Sequence, residues 1–179
     1  MAKVPPYRMP REEMKAELDR LRHPFRVVVD RAKNPFNIGA IVRTAHSFLV
    51  KEIILIGTEP WYERAAMGML RYEHIREVET SEEFVALAAE EGWPILAFEK
   101  DHAAVGVWDV DMPDNAALVF GNEDNGCAPC IIEAATSVVG IPMYGINHSY
   151  PIAIAAGMGM AEWARRRYQH GRSVVPSKD

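Results

Sequence analysis

Phe25-Arg-Val-Val-Val-Asp30, followed by Asn34-Pro-Phe-Asn-Ile-Gly-Ala-Ile-Val-Arg43, is the stretch on which the fold turns. The first run is β-branched and reads as a strand. From Ile38 to Phe48, the apolar residues Ile38, Ile41, Val42, Ala45 and Phe48 recur at helical spacing. A polar loop, Asn34–Arg43, therefore joins a strand to a helix. The same arrangement returns twice. Gly121-Asn-Glu-Asp-Asn-Gly126 follows the apolar run Ala116–Phe120, and Pro142-Met-Tyr-Gly-Ile-Asn-His-Ser-Tyr-Pro151 follows Ser137–Ile141. An open α/β sheet binds its ligands beyond the carboxyl ends of its strands. Three polar loops at strand ends thus form a candidate ligand site drawn from distant parts of the chain.

Outward from these segments, strands and helices alternate. Residues 11–22 read as a charged helix with Met14, Leu18 and Leu21 on one face, ended by Pro24. Glu52–Gly57, Ile75–Val78 and Pro94–Glu99 read as strands, and Val107–Val110 as an extended segment. Thr58–Met69 has a helical tendency from Ala65. Ser81 is a good N-cap for a helix to about Gly92. A helix begins near Pro129, and Ile152–Tyr168 is a last helix with small residues in its first half. Those small residues suit either packing on the sheet or a subunit interface. The alternation predicts a single-domain α/β fold, a mostly parallel sheet with flanking helices.

Composition sets the bounds. With 179 residues, 49% apolar and 25% charged, the chain is of ordinary globular make-up and suits one domain. No apolar stretch is long enough to cross a membrane, and Met-Ala-Lys-Val-Pro-Pro has no secretory pattern, so a cytoplasmic protein is expected. The net charge of −5 is unevenly spread: residues 1–26 and 160–179 each carry +3, which leaves −11 between them. Basic ends on an acidic body suit either localised phosphate contacts or solvated helix ends. The two cysteines, Cys127 and Cys130, cannot make a four-thiolate zinc site. Their spacing fits a redox pair at a helix start or simple packing. The histidines show no paired ligand spacing, and no metal is expected.

Each loop alone is ambiguous. Gly121 and Gly126 let the backbone turn tightly and approach a ligand, but no Gly-Lys-Ser/Thr follows, so this is not a Walker phosphate loop. Glu123 either meets a ligand or holds loop amides. Arg43 sits in the first turns of an otherwise apolar helix, suited to phosphate recognition or to a carboxylate such as Glu123. In the third loop, Ser149 could cap the last helix with Pro151 near its first turn, and His148 is a candidate base.

Together, the order and contents of the loops resemble the SpoU (TrmH-like) family of RNA 2′-O-ribose methyltransferases, of the SPOUT class. The residues that carry the resemblance are Asn37-Ile-Gly-Ala-Ile-Val-Arg43-Thr-Ala, Leu118-Val-Phe-Gly121-Asn-Glu123-Asp-Asn-Gly126, and Ile141-Pro-Met143-Tyr-Gly145 followed by Ser149. They span roughly Phe25 to Tyr168. The resemblance implies S-adenosylmethionine as methyl donor, tRNA or rRNA as substrate, a homodimer and a C-terminal trefoil knot. It places Gly121, Ile141, Met143, Ser149 and Tyr150 at the cofactor, and Asn37, Arg43 and Glu123 among catalytic or substrate-positioning residues. It also implies a division into a charged helical extension (1–24), a methyltransferase domain (25–170) and a tail (171–179). One departure stands out. The family's usual Ser-Leu-Asn-Val-Ser is here Ser149-Tyr150-Pro151-Ile152-Ala153, with Pro151 in place of an amide side chain. That leaves a competing expectation: a catalytically impaired SPOUT module that binds RNA or cofactor without methyl transfer.

Overall fold

The structure is a computed structural model that describes residues 9–30, 34–122 and 124–167. In chain order it holds α1 (Arg11–Leu21), β1 (Arg26–Asp30), α2 (Pro35–Ser47) and β2 (Glu52–Ile56). Two 3-10 turns, Glu63–Ala66 and Met69–Tyr72, lead to β3 (Ile75–Val78), α3 (Ser81–Glu90), β4 (Ile95–Phe98) and β5 (Val105–Gly106). The chain continues through β6 (Ala117–Phe120), α4 (Pro129–Ala134), β7 (Ser137–Gly140) and α5 (Ile152–Arg167).

The strands form one sheet in the order β3-β2-β1-β6-β4-β7-β5, and every pairing is parallel. The expected parallel α/β architecture is therefore present. The central strands are short apolar runs because both their faces are covered. Val27, Val29, Leu96, Phe98, Leu118 and Phe120 face α2 and α5, whose Ile38, Ile41, Val42, Ala156, Met160 and Trp163 complete one core layer. Their neighbours in sequence, Val28, Ala97, Ala117 and Val119, face α3 and α4 through Phe84, Ala88 and Ile131. Because β6 lies between β1 and β4, the carboxyl ends of β1, β6, β4 and β7 meet along one edge.

The small residues of α5 serve helix-on-sheet packing in part: Gly159 sits over Phe98 and Phe120, whose rings stack at 4.6 Å. At the other end of the chain, α1 is tied down by Arg22. Its guanidinium donates to Asp19 and Glu73 at 2.7 and 2.8 Å and to the Val50 carbonyl at 2.8 Å. Glu73, fully buried, also takes His46 Nδ1 of α2 at 2.7 Å.

Several local expectations are corrected. The expected helix from Ile38 begins three residues earlier, so the polar loop before it is shorter: Asn34 caps α2 by accepting the Phe36 N–H at 3.0 Å, and the helix runs from Pro35. Val107–Val110 is a turn rather than a strand, with the N–H groups of Asp109 and Val110 both on the Gly106 carbonyl. The cap of α3 is Thr80, whose side chain accepts the Glu83 N–H at 3.1 Å. The Ser81 hydroxyl turns inward and donates to Asp30 at 3.1 Å. No helix among the described residues is long and apolar enough to cross a membrane.

Candidate functional site

A cavity of about 380 Å³ opens at the carboxyl ends of β4, β6 and β7. That is within the range of small-molecule sites, roughly 300–1,000 Å³. Gly121, Ile141, Met143, Ser149 and Tyr150 all line it, so the second and third loops converge as the sequence suggests. Apolar walls come from Phe120, Ile141, Ile152 and Ala155, while Glu99, Asp101 and Asp124 bring carboxylates.

The second loop folds tightly on itself. Asn122 and Gly126 pair across it, with N–H to O distances of 3.2 and 3.0 Å. The Asn122 side-chain oxygen accepts the N–H groups of Asp124 and Asn125 at 2.9 and 2.8 Å. Any side chain at Gly121 would collide with the backbone of Gly126 and Cys127, and Gly126 has a φ of +67°. Only glycine satisfies both positions at low cost.

Glu99 holds this loop from outside it. At the end of β4, its carboxylate accepts the N–H groups of Lys100 and Asp101 at 2.8 and 3.3 Å and that of Cys127 at 3.1 Å. Asp30, at the end of β1, does the same one layer away by accepting the Ala128 N–H at 2.8 Å. Sequence reasoning missed Glu99. The available signal was a carboxylate at the end of a buried apolar run, as at Asp30, the last residue of β1.

The third loop closes on itself where the Tyr150 hydroxyl donates to the Pro142 carbonyl at 3.0 Å. Ser149 is not the cap of α5. The Pro151 carbonyl accepts the first helical N–H groups, from Ile154 and Ala155, at 2.9 and 3.0 Å. A proline, which has no N–H of its own to place, fits that position. His148 is exposed at the cavity wall.

Asn37 and Arg43 lie apart from the cavity lining, on α2. Arg43 is exposed, and its side chain makes no hydrogen bond or ion pair within the described residues. Its neighbour Thr44 faces Gly157 of α5, the helix whose Ile152 and Ala155 reach the cavity. Glu123 lies outside the described residues.

The cysteines are free. Burial, with Glu99 and Asp30 adding to it, pushes the Cys127 thiol up, and burial and Glu82 raise that of Cys130. Thiolate chemistry is disfavoured at both. No group of His, Cys, Asp and Glu among the described residues is placed to hold a metal. The arginines of the C-terminal helix are already engaged. Arg165 and Arg166 pair with Glu162, and Arg167 pairs with Asp114 and stacks 3.8 Å over Trp163.

The chain matches the family described as the SpoU rRNA Methylase family over residues 24–161. It is 28% identical over 170 residues to a tRNA (guanosine(18)-2′-O)-methyltransferase of Aquifex aeolicus, covering 93% of this chain and 81% of that one. It is 26% identical to the 23S rRNA (guanosine-2′-O-)-methyltransferase RlmB of Acinetobacter baylyi, over 79% of this chain and 59% of RlmB. The solved structure of an AdoMet-bound rRNA methyltransferase from Sinorhizobium meliloti superposes with a TM-score of 0.75 at 28% identity, over 84% of this chain and 61% of that one. The chain therefore spans about three fifths of the latter two proteins.

Proposed function

This chain belongs to the SpoU rRNA methylase family, and we propose that it transfers the methyl group of S-adenosylmethionine to a ribose 2′-hydroxyl of tRNA or rRNA. We place it in the cytoplasm as a homodimer, with the C-terminal knot that the family implies. The observation that carries this reading is the convergence of Gly121, Ile141, Met143, Ser149 and Tyr150 on one cavity of cofactor size. The chemistry of the lining supports it. The close backbone approach at Gly121 suits a purine edge, the apolar walls suit its faces, and Glu99, Asp101 and Asp124 suit a ligand that carries a sulfonium cation.

When bound, S-adenosylmethionine supplies an electrophilic methyl group. The chain's own part is placement, which can account for much of such an acceleration. A guanidinium is a poor base. Arg43, exposed and without a carboxylate partner among the described residues, suits a phosphate beside the target ribose. It would thereby orient the 2′-hydroxyl for attack and keep that phosphate, or a water, beside it to take the hydroxyl proton. Asn37 and Glu123 join it on the RNA side. Tyr144, Ile146 and Ile154, which are 87, 97 and 50% exposed on the third loop and the first turn of α5, support a dimer surface there.

Tritiated methyl transfer to bulk tRNA and rRNA tests the reaction, because a 2′-O-methyl product survives alkaline hydrolysis of its phosphodiester. Calorimetric titration with S-adenosylmethionine tests the pocket. Absence of binding at millimolar cofactor refutes the proposal. Binding without transfer to any RNA favours the competing reading of a non-catalytic module.

A further inference from the structure

The solvent-facing stripe of α2 consists of Phe36, Ala40, Arg43 and Ser47, each exposed. Phe36 and Arg43 are seven residues apart. They share a helix face and lie roughly 10.5 Å apart along the axis. Phe36, in the first turn, is 57% exposed, an unusual cost for a phenylalanine. Its ring meets that of Tyr62, itself 42% exposed, with centroids 4.8 Å apart and planes tilted by 45°.

The two segments that carry the rings are tied together. The Tyr62 N–H donates to the Pro35 carbonyl at 3.2 Å. The turn that follows, Glu63–Ala66, packs so closely on α2 that a side chain at Gly39 would collide with Ala65. The backbone beneath both rings is thus set before any ligand arrives. Two exposed arginines stand on the same elements: Arg43 two turns along α2 from Phe36, and Arg64 two residues after Tyr62, beside exposed Glu63. Neither arginine makes an ion pair among the described residues.

We propose that Phe36 and Tyr62 form a stacking notch for an unpaired nucleobase of the substrate RNA, next to the nucleotide whose phosphate Arg43 grips. This rests on the methyltransferase reading above and adds to it a site that selects single-stranded RNA. Unstacked bases are bound in this manner, by aromatic faces with arginines on the backbone. A protein partner would need on the order of 800 Å² of surface from this side. The stripe offers two rings and then Ala40, Arg43 and Ser47, which is too narrow and too polar. The notch also explains how a chain with an acidic body recognises RNA: little phosphate affinity is needed where stacking supplies part of the binding.

The test uses the full chain and bulk tRNA and rRNA substituted with 4-thiouridine. Cross-linking at long wavelength is expected to join a base to the peptide that holds Phe36 or Tyr62. Phe36→Ala and Tyr62→Ala are each expected to lower kcat/KM for RNA between about five- and a hundred-fold. Phe36→Trp should restore most of it. The calorimetric affinity for S-adenosylmethionine and the sedimentation coefficient should not change. Stacking and phosphate contacts separate by salt: the slope of log K against log[salt] should stay constant in Phe36→Ala and become shallower by about 0.7 in Arg43→Ala. Wild-type RNA kinetics in the Phe36→Ala/Tyr62→Ala double variant overturn the notch, as does its conversion to monomer. If the unsubstituted protein transfers no methyl group, the methyltransferase reading fails, and the cross-link alone then decides for or against the notch.

Discussion

Replacing Glu99 by Gln tests whether the cavity depends on a loop held from outside. The carboxylate accepts three backbone N–H groups, from Lys100, Asp101 and Cys127. A glutamine keeps the shape but has a single acceptor oxygen. Whichever way its amide turns, either Cys127 or the Lys100/Asp101 pair faces an NH₂ group. A hydrogen bond to a charged acceptor contributes about 1.5–3 kcal/mol. Glu99 is only half-buried, and solvent replaces part of the loss, so about 1–1.5 kcal/mol is expected at the Gly121–Cys127 loop. If the loop must then be ordered on binding, the dissociation constant for S-adenosylmethionine rises about tenfold. The melting temperature falls by only about 2–6 °C. Isothermal titration and thermal unfolding on the same preparation read both. Unchanged affinity in Glu99→Gln would refute the idea that this contact shapes the pocket, whatever happens to the melting temperature.

Arg43→Ala should lower kcat/KM for RNA by at least about a hundredfold, as loss of a single transition-state donor does, while calorimetry shows unchanged cofactor affinity; Arg43→Lys should not restore it. Glu73→Ala leaves Arg22 buried with half its ion pairs and should cost about 3 kcal/mol, near the low end for a broken buried pair because Asp19 remains. Denaturant unfolding should show that loss without a change in m-value. Burial, reinforced by Arg167, holds the His23 imidazole below its ordinary value of 6.5. The unfolded chain therefore takes up this proton more readily than the folded one, and stability present above pH 6.5 is lost as pH falls through the folded value. Melting curves between pH 7 and 5 should show this decline, and His23→Phe should flatten it.

The central strands were legible because they are apolar runs buried on both faces, as at Val27–Val29 and Leu118–Phe120, whereas the two-residue edge strand Val105–Gly106 has no such run and was missed. The helices were legible because Ile38, Ile41, Val42 and Ala45 repeat at the helical period. The errors arose where a distant residue intervenes. Ser81 looks like a cap in isolation, but Asp30, 51 residues away, takes its hydroxyl and leaves the cap to Thr80. Val107–Val110 looks extended, yet Arg166 reaches across from α5 to the carbonyls of Val107 and Trp108 and to that of Val110, which fixes a turn.

By itself, then, the sequence determined the parallel α/β class, the family and five residues that meet at the cavity. These follow from local periodicity and from short motifs in a fixed order. Only the tertiary structure decided that Glu99 clamps the second loop, that Arg43 stands on an open stripe of α2, and that Phe36 meets Tyr62. Each of these depends on which strand ends become neighbours. For the clamp that is set by β6 entering between β1 and β4, a pairing between residues some 90 positions apart such as Val27 and Leu118, and for the two rings by β1 lying beside β2. No local pattern of residues records such a pairing, because its energy exists only once the sheet is assembled.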